Sequence, residues 1–266
     1  MKRTSFTLIE LLVVIGVIAM LISILAPGLY AAKEQARTAV CSSNLRQLAL
    51  ALTVYEQENE TFPAGFNDLT CAMARPPGGY LGNAVNDKMG WWWLQFSADS
   101  WEGDFTEGSV IWCPARRISG PLTKANVLCG NYGVNRAICK DAQGIIGSEF
   151  TGRALGLSQI WSPAKTLLIA DSGYALISWC GATNGSVVPF ENPRRVGTFY
   201  VPGLSINTAR TFCPGHEQDA IEGRHPNKTV NVGFADGHIS CVKADDLFVE
   251  KTGDGYSNRS PLWLPN

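Results

Sequence analysis

The chain opens with a stretch that few environments can accept. Lys2 and Arg3 come first, then Phe6-Thr7-Leu8-Ile9-Glu10, and then an apolar run from Leu11 to Leu25 that continues past Pro27 to Tyr30. A helix of about 20 residues, from Leu11 to Tyr30, spans roughly 30 Å, the thickness of a bilayer core. The basic pair before the run has no acidic partner, which places the N-terminus in the cytoplasm and everything after Tyr30 outside. A secretory signal has a shorter apolar region, roughly 7–15 residues, and ends at a small-residue cleavage site. Tyr30-Ala31-Ala32 makes a poor site of that kind. A plain signal anchor is the other ordinary reading. Neither accounts for Glu10.

A glutamate in an apolar helix costs about 2.5–3.5 kcal/mol at the bilayer centre and less near an interface. Glu10 either snorkels into the cytoplasmic headgroups or meets a positive partner inside an assembly. A free amine made by cutting just before Phe6 is such a partner. Supplied by a neighbouring subunit, it turns a cost into a registry signal for polymerisation.

Ser5-Phe6-Thr7-Leu8-Ile9-Glu10-Leu11-Leu12-Val13-Val14-Ile15 resembles the cleavage/methylation signal of type IV prepilins and type II secretion pseudopilins. The resemblance implies that a prepilin peptidase cuts between Ser5 and Phe6 and methylates the new amine of Phe6. It implies that Glu10 acts in assembly as the fifth residue of the mature chain. The residue before the cut is usually glycine in that family and is Ser5 here. Pro27 stands where many pilins have a helix-kinking proline.

From Gly28 to Glu58 the pattern stays helical. Leu45, Leu48, Leu52 and Tyr55 recur at steps of three and four, as one buried stripe requires. Lys33, Glu34, Arg37, Arg46, Glu56 and Glu58 break the apolar character, and Asn59 to Pro63 ends the helix. Pro27 lacks an N–H and is expected to bend or loosen the helix within its apolar part. A membrane half followed by an amphipathic half is the pilin design; a membrane anchor plus a separate helix is the plainer alternative.

The rest of the chain is rich in glycine and proline, most of the 27 glycines and 14 prolines falling after Phe62. Short strands and turns are expected there. The fold class is α+β: a long N-terminal helix followed by a β-rich globular domain. The expected organisation is a leader over 1–5, a membrane half over 6–30, an amphipathic half over 31–59 and an extracytoplasmic domain over 60–266. With a net charge of -1, no basic footprint for nucleic acid is visible.

Eight cysteines run from Cys41 to Cys241 with no C-x-x-C pair, which speaks against a zinc ribbon or a thioredoxin-like site. In an exported domain at least one disulfide is expected, although buried free thiols also pack well as small hydrophobes.

Trp91, Trp92, Trp93, Phe96 and Trp101 crowd one segment. Stacked tryptophans can bind sugars, but such rings more often fill a core, and packing is the preferred reading. Ile111-Trp112-Cys113-Pro114 reads as a short apolar strand. Thr166 to Ala170 reads as a buried strand closed by Asp171, Ser172 and Gly173. Val230, Val232 and Phe234 alternate with Asn231, Gly233 and Ala235 before Asp236-Gly237 and a second run to Val242. That pattern predicts a hairpin over 230–242 with positive φ at both Asp236 and Gly237.

Arg224-His225 and Asn231 to His238 resemble the C-terminal H-X9-DG element of certain large prepilin-like proteins (the DUF1559-like group), and Cys41 to Leu48 resembles their helix segment. The motif residues are His225, Asp236 and Gly237. Ten residues separate His225 from Asp236 instead of nine, and Pro226-Asn227-Lys228 is the expected place for the extra one. His225, Asp236 and His238 are chemically able to bind a metal or do acid–base work. Asp at a tight turn has a structural reason to be there, and His225 is expected to bond to a turn carbonyl or a carboxylate. No G-x-S-x-G, P-loop or H-E-x-x-H appears.

The expected function is a structural pilin or pseudopilin subunit of a type IV pilus or type II secretion-like pseudopilus. No enzymatic activity, catalytic residue, metal ligand or cofactor is expected from the sequence. Calcium, which some pseudopilins bind, has no supporting motif. The expected partners are prepilin peptidase, other pilin or pseudopilin subunits and the inner membrane, which a single helix crosses. The alternatives are an anchored extracytoplasmic protein that binds a glycan or metal, and an anchored hydrolase using His225 and Asp236.

Overall fold

The computed structural model describes residues 7–66, 92–95, 108–117, 131–140, 150, 152–173, 175–179, 182, 223–252, 255–257 and 261–265. Helix α1 runs without interruption over Leu8–Asn59, 52 residues. Thr7 caps its start: the Glu10 N–H donates to Thr7 Oγ1, while Glu10 Oε2 accepts from the Thr7 N–H at 2.8 Å and the Thr7 hydroxyl at 2.7 Å. This is a capping box, which satisfies two donors that a bare helix end leaves open. Glu60, in the left-handed region at φ 60°, ends the helix where the sequence predicts it. Pro27 removes one rung of the ladder, and the helical assignment continues through it.

The two halves of α1 meet different surroundings. From Leu8 to Tyr30 every apolar side chain is exposed. It is the one helix among the described residues long and apolar enough to cross a membrane. In the second half Cys41, Leu45, Leu48, Ala49 and Leu52 are buried at steps of three and four. Each leucine removed from water there contributes about 1.5–3 kcal/mol. Tyr55 is only half-buried, so the stripe ends one step earlier than its spacing predicts. Glu34, expected on the polar face, is buried: Arg37 pairs with it at 2.8 Å and Arg117 lies 3.9 Å away.

The stripe lies on a five-stranded sheet. Its strands are β1 (Tyr132–Asn135), β2 (Leu167–Asp171), β3 (Leu176–Ile177), β4 (Thr229–Phe234) and β5 (Ile239–Lys243). They are ordered β3-β1-β2-β4-β5, with β1 and β3 parallel and the other neighbours antiparallel. β6 (Glu250–Thr252) and β7 (Gly255–Ser257) form a separate antiparallel ribbon. The α+β architecture is therefore the one expected.

β4 shows why the sheet is buried on both sides. Val230, Val232 and Phe234 pack with Leu167, Leu247 and Trp263 on one face. On the other, Gly233 faces α1. A Cβ at Gly233 would lie 2.7 Å from Ile169 Cγ2 and 3.0 Å from Ile239 Cδ1, side chains of the two flanking strands, and at an ordinary 3.5 Å from Ala49 Cβ of the helix, so the side chains that flank β4 leave room only for a glycine. Alternation along β4 thus does not separate core from solvent. From Val230 to Phe234 every residue is buried.

Three local expectations change. Ile111 to Pro114 is not a strand. Trp112 N–H bonds to Ser109 C=O and Arg116 N–H to Cys113 C=O, so the segment is a pair of buried turns: an apolar run marks burial, not extension. β2 begins at Leu167 rather than Thr166 and takes in Asp171, which is fully buried within the strand rather than closing it. In the β4–β5 hairpin only Gly237 has positive φ, at 91°. Gly237 N–H bonds to Phe234 C=O and Phe234 N–H to His238 C=O, each at 2.9 Å. The connection is therefore a three-residue loop closed by Gly237, not a two-residue Asp-Gly turn.

Candidate functional site

The most concentrated chemistry in the described residues lies where four segments converge beneath α1. Cys41 comes from the helix, Cys113 from the buried turns, Asp171 from the end of β2 and His225 from just before β4. All four are buried, and their ligating atoms lie within 4.8 Å of one another. His225 Nε2 is 2.7 Å from Asp171 Oδ2. The Cys41 thiol donates to Asp171 Oδ1 at 2.9 Å, and its sulfur is 3.2 Å from Cys113 Sγ. The Asn231 N–H donates to Asp171 Oδ2 at 2.7 Å, and the Asn231 side-chain amide lies 3.1 Å from His225 Nε2.

A shell of further contacts holds these groups. His225 Nδ1 is 3.1 Å from Thr38 Oγ1, and that hydroxyl donates to Glu34 C=O at 2.9 Å. Buried Arg224 donates to Asn131 C=O and Ser172 C=O, each at 2.8 Å. The Cys113 N–H donates to Asn131 Oδ1 at 3.1 Å, and the Tyr132 hydroxyl to Cys41 C=O at 3.3 Å.

Burial penalises charge on every member, and the neighbours decide the outcome. For Asp171 the charge and hydrogen bond of His225, with Arg224, outweigh burial and hold the carboxyl below its ordinary range. For His225 the Asp171 carboxylate outweighs burial and raises the imidazole. Burial, helped by Cys113 and Asp171, pushes the Cys41 thiol well up. Burial raises Cys113 too, but the hydrogen bond from Cys41 and the charge of Arg224 bring it below its ordinary value. Two thiols, one imidazole and one carboxylate do not suit calcium, which takes six to eight oxygens.

The structure separates the His/Asp/His set named from sequence. His225 bridges to Thr229 at the start of β4, whereas Asp236 and His238 sit past its far end. There Asp236 Oδ1 accepts from the His238 N–H and lies 2.6 Å from Nδ1 in an exposed pair, with the His238 ring stacked on Phe234 at 4.2 Å. The carboxylate that His225 meets is Asp171, not the Asp236 that the hydrolase alternative pairs with it. Asn227 and Lys228, in the segment where an extra residue is expected, both have positive φ. Trp92 and Trp93 are core residues in edge-to-face contact, with the Trp92 indole bonded to Ala175 C=O. Trp91, Phe96 and Trp101 lie outside the described residues, as do Ser5 and Phe6. Cys41, Cys113, Cys139 and Cys241 are free thiols. The remaining four cysteines also lie outside the described residues.

A family model described as a protein of unknown function (DUF1559) matches residues 30–151. The type II secretion system core protein G of Escherichia coli K12 is 32% identical over 107 residues, covering 39% of this chain and 70% of that protein. The chain belongs to the type II secretion system core protein G family. The Vibrio cholerae core protein G is 29% identical over 98 residues, 34% of this chain and 67% of that protein. The Pseudomonas aeruginosa one is 27% identical over 77 residues, 29% of this chain; the chain spans about half of that relative, 54%. No solved structure matches the chain.

As a pseudopilin-like chain of this family it has the expected long helix and sheet domain. What sequence reasoning missed is the buried cluster. The sequence marks Asp171 as a strand terminator, and Cys41 and Cys113 only as two of eight cysteines among which at least one disulfide is expected. Only His225 carried a signal, through its motif. The four residues come from four segments spread between positions 41 and 225, so no local spacing announces them.

Proposed function

We propose that this pseudopilin-like chain is anchored by the first half of α1 in the inner membrane, N-terminus in the cytoplasm. Prepilin peptidase cuts between Ser5 and Phe6 and methylates Phe6. The chain then polymerises through α1, either with itself or with other pseudopilins, while the sheet domain covers the outside of the filament. The observation that carries this reading is the contrast within one helix. An apolar half finds no cover among the described residues of the subunit, and it continues directly into a half that the domain holds firmly. Packing of α1 against copies of itself gives the first half the cover it lacks.

Glu10 has a defined part in this scheme. In the single chain its carboxylate is satisfied by Thr7. In a filament it exchanges that local bond for the amine of a neighbouring subunit, which sets the register. Mass spectrometry of the mature N-terminus tests the processing: N-methyl-Phe6 is expected, and an intact Met1 start or a cut near Ala32 overturns it. Glu10→Ala is expected to leave membrane insertion intact and abolish filaments under overexpression; normal filaments would remove the registry role.

A further inference from the structure

The geometry points to a structural zinc site formed by Cys41 Sγ, Cys113 Sγ, Asp171 and His225 Nε2. Four protein ligands of this kind, with no open position, are the donor set of a closed tetrahedral zinc centre. In such a centre the ligand atoms lie ~3.3–3.8 Å apart, given metal–ligand lengths of ~2.0–2.3 Å. Here all four lie within 4.8 Å of one another, and the two sulfurs within 3.2 Å. Adjustments of about an ångström bring them onto one ion.

The hydrogen bonds around His225 favour a cation at this point. The Thr38 hydroxyl has one proton and gives it to Glu34 C=O. With the Thr38 hydroxyl donating to Glu34 C=O, the tautomer that bonds it carries the proton on Nδ1. That tautomer turns the Nε2 lone pair, 2.7 Å from Asp171 Oδ2 and 3.1 Å from the Asn231 amide nitrogen, toward the point where the four ligand atoms converge. An Nδ1–H donor fixing the ring while Nε2 faces the ligand position is the outer-shell arrangement typical of metal-bound histidine. The Asn231 N–H steadies the carboxylate in the same way.

A disulfide between Cys41 and Cys113 is the rival. The sulfurs stand well beyond the ~2.05 Å of that bond. Forming it would take from Asp171 Oδ1 the Cys41 S–H that now satisfies it, and it would give the convergence of His225 and Asp171 no purpose. Zinc binding instead displaces the protons of the two thiols and leaves Nε2 of His225 as a ligand. The resulting two thiolates, carboxylate and Zn²⁺ carry one net negative charge, which buried Arg224 beside the site offsets. The ion ties α1 to three segments of the domain just beyond the point where the helix leaves its apolar half.

Full-length protein is purified in detergent under reducing conditions without chelator, loaded with zinc and freed of excess metal. About one zinc per chain is expected, with an X-ray absorption fine structure of two sulfur and two nitrogen or oxygen neighbours. Cobalt in place of zinc is expected to show thiolate-to-metal charge transfer and tetrahedral ligand-field bands. His225→Ala and Cys113→Ser are expected to lower bound zinc at least about tenfold. Because such variants can fail to fold, the wild-type chain is also stripped with a chelator and reloaded; zinc is expected to raise its Tm. Wild-type zinc below about a tenth of an equivalent, a coordination shell without sulfur, or a Cys41–Cys113 disulfide in protein extracted under thiol-blocking conditions would each overturn the site.

Discussion

The two halves of α1 are equally helical and differ in what they do. Between Leu8 and Tyr30 the apolar residues surround the helix, and the sheet domain covers none of them. Between Cys41 and Leu52 they occupy one stripe, and the domain covers all of it. A helix apolar on all sides needs an apolar surrounding beyond its own chain, whereas a striped helix is stabilised by its own domain. Within one continuous element, the width of the apolar face divides external from internal burial.

That contrast can be broken by substitution. The largest effect is expected from Leu52→Ala in the stripe: a loss of about 2–5 kcal/mol of domain stability, measured by urea denaturation in detergent. No measurable loss would mean that the stripe does not hold the domain. A smaller loss, about 1–3 kcal/mol, is expected from Gly233→Ala, since the new Cβ must push Ile169 away where helix and sheet meet. An unchanged midpoint would show that Ile169 and Ile239 can repack beside β4 without cost. The smallest effect belongs to the membrane half. Leu21→Ala is expected to leave the domain within about 0.5 kcal/mol of wild type, while reducing filament yield. A domain loss as large as that of Leu52→Ala would erase the distinction between the halves.

The hairpin and the buried cluster differ in how far they can be read from sequence. Val230 to Val242 announces a hairpin because its pairing is local and its turn carries Asp236-Gly237. Even there the loop type was misjudged, since one positive φ at Gly237 with a bulge fits the same residues. The cluster offered no such cue. Ile111 to Pro114 and Leu167 to Asp171 are both apolar runs ending in a residue that often stops strands, yet the first is a turn and the second a paired strand. The difference is set by hydrogen-bond partners distant in the chain. His225 shows the limit most clearly: its motif was visible, and its expected bond to a carboxylate is present, but that carboxylate is 54 residues upstream rather than in the motif.

The sequence by itself determined the long helix, its division into an apolar and an amphipathic half, its end at Asn59, the α+β class and the terminal hairpin. Each of these depends on periodicity, capping or turn chemistry within a few residues, and here the tertiary packing agrees with those local preferences. Only the tertiary structure decided that Glu34 and Asp171 are buried, that both faces of β4 are covered, and that Cys41, Cys113, Asp171 and His225 meet. Those facts depend on which surfaces the sheet and helix present to each other. Contacts between segments far apart in the chain leave no period in the sequence.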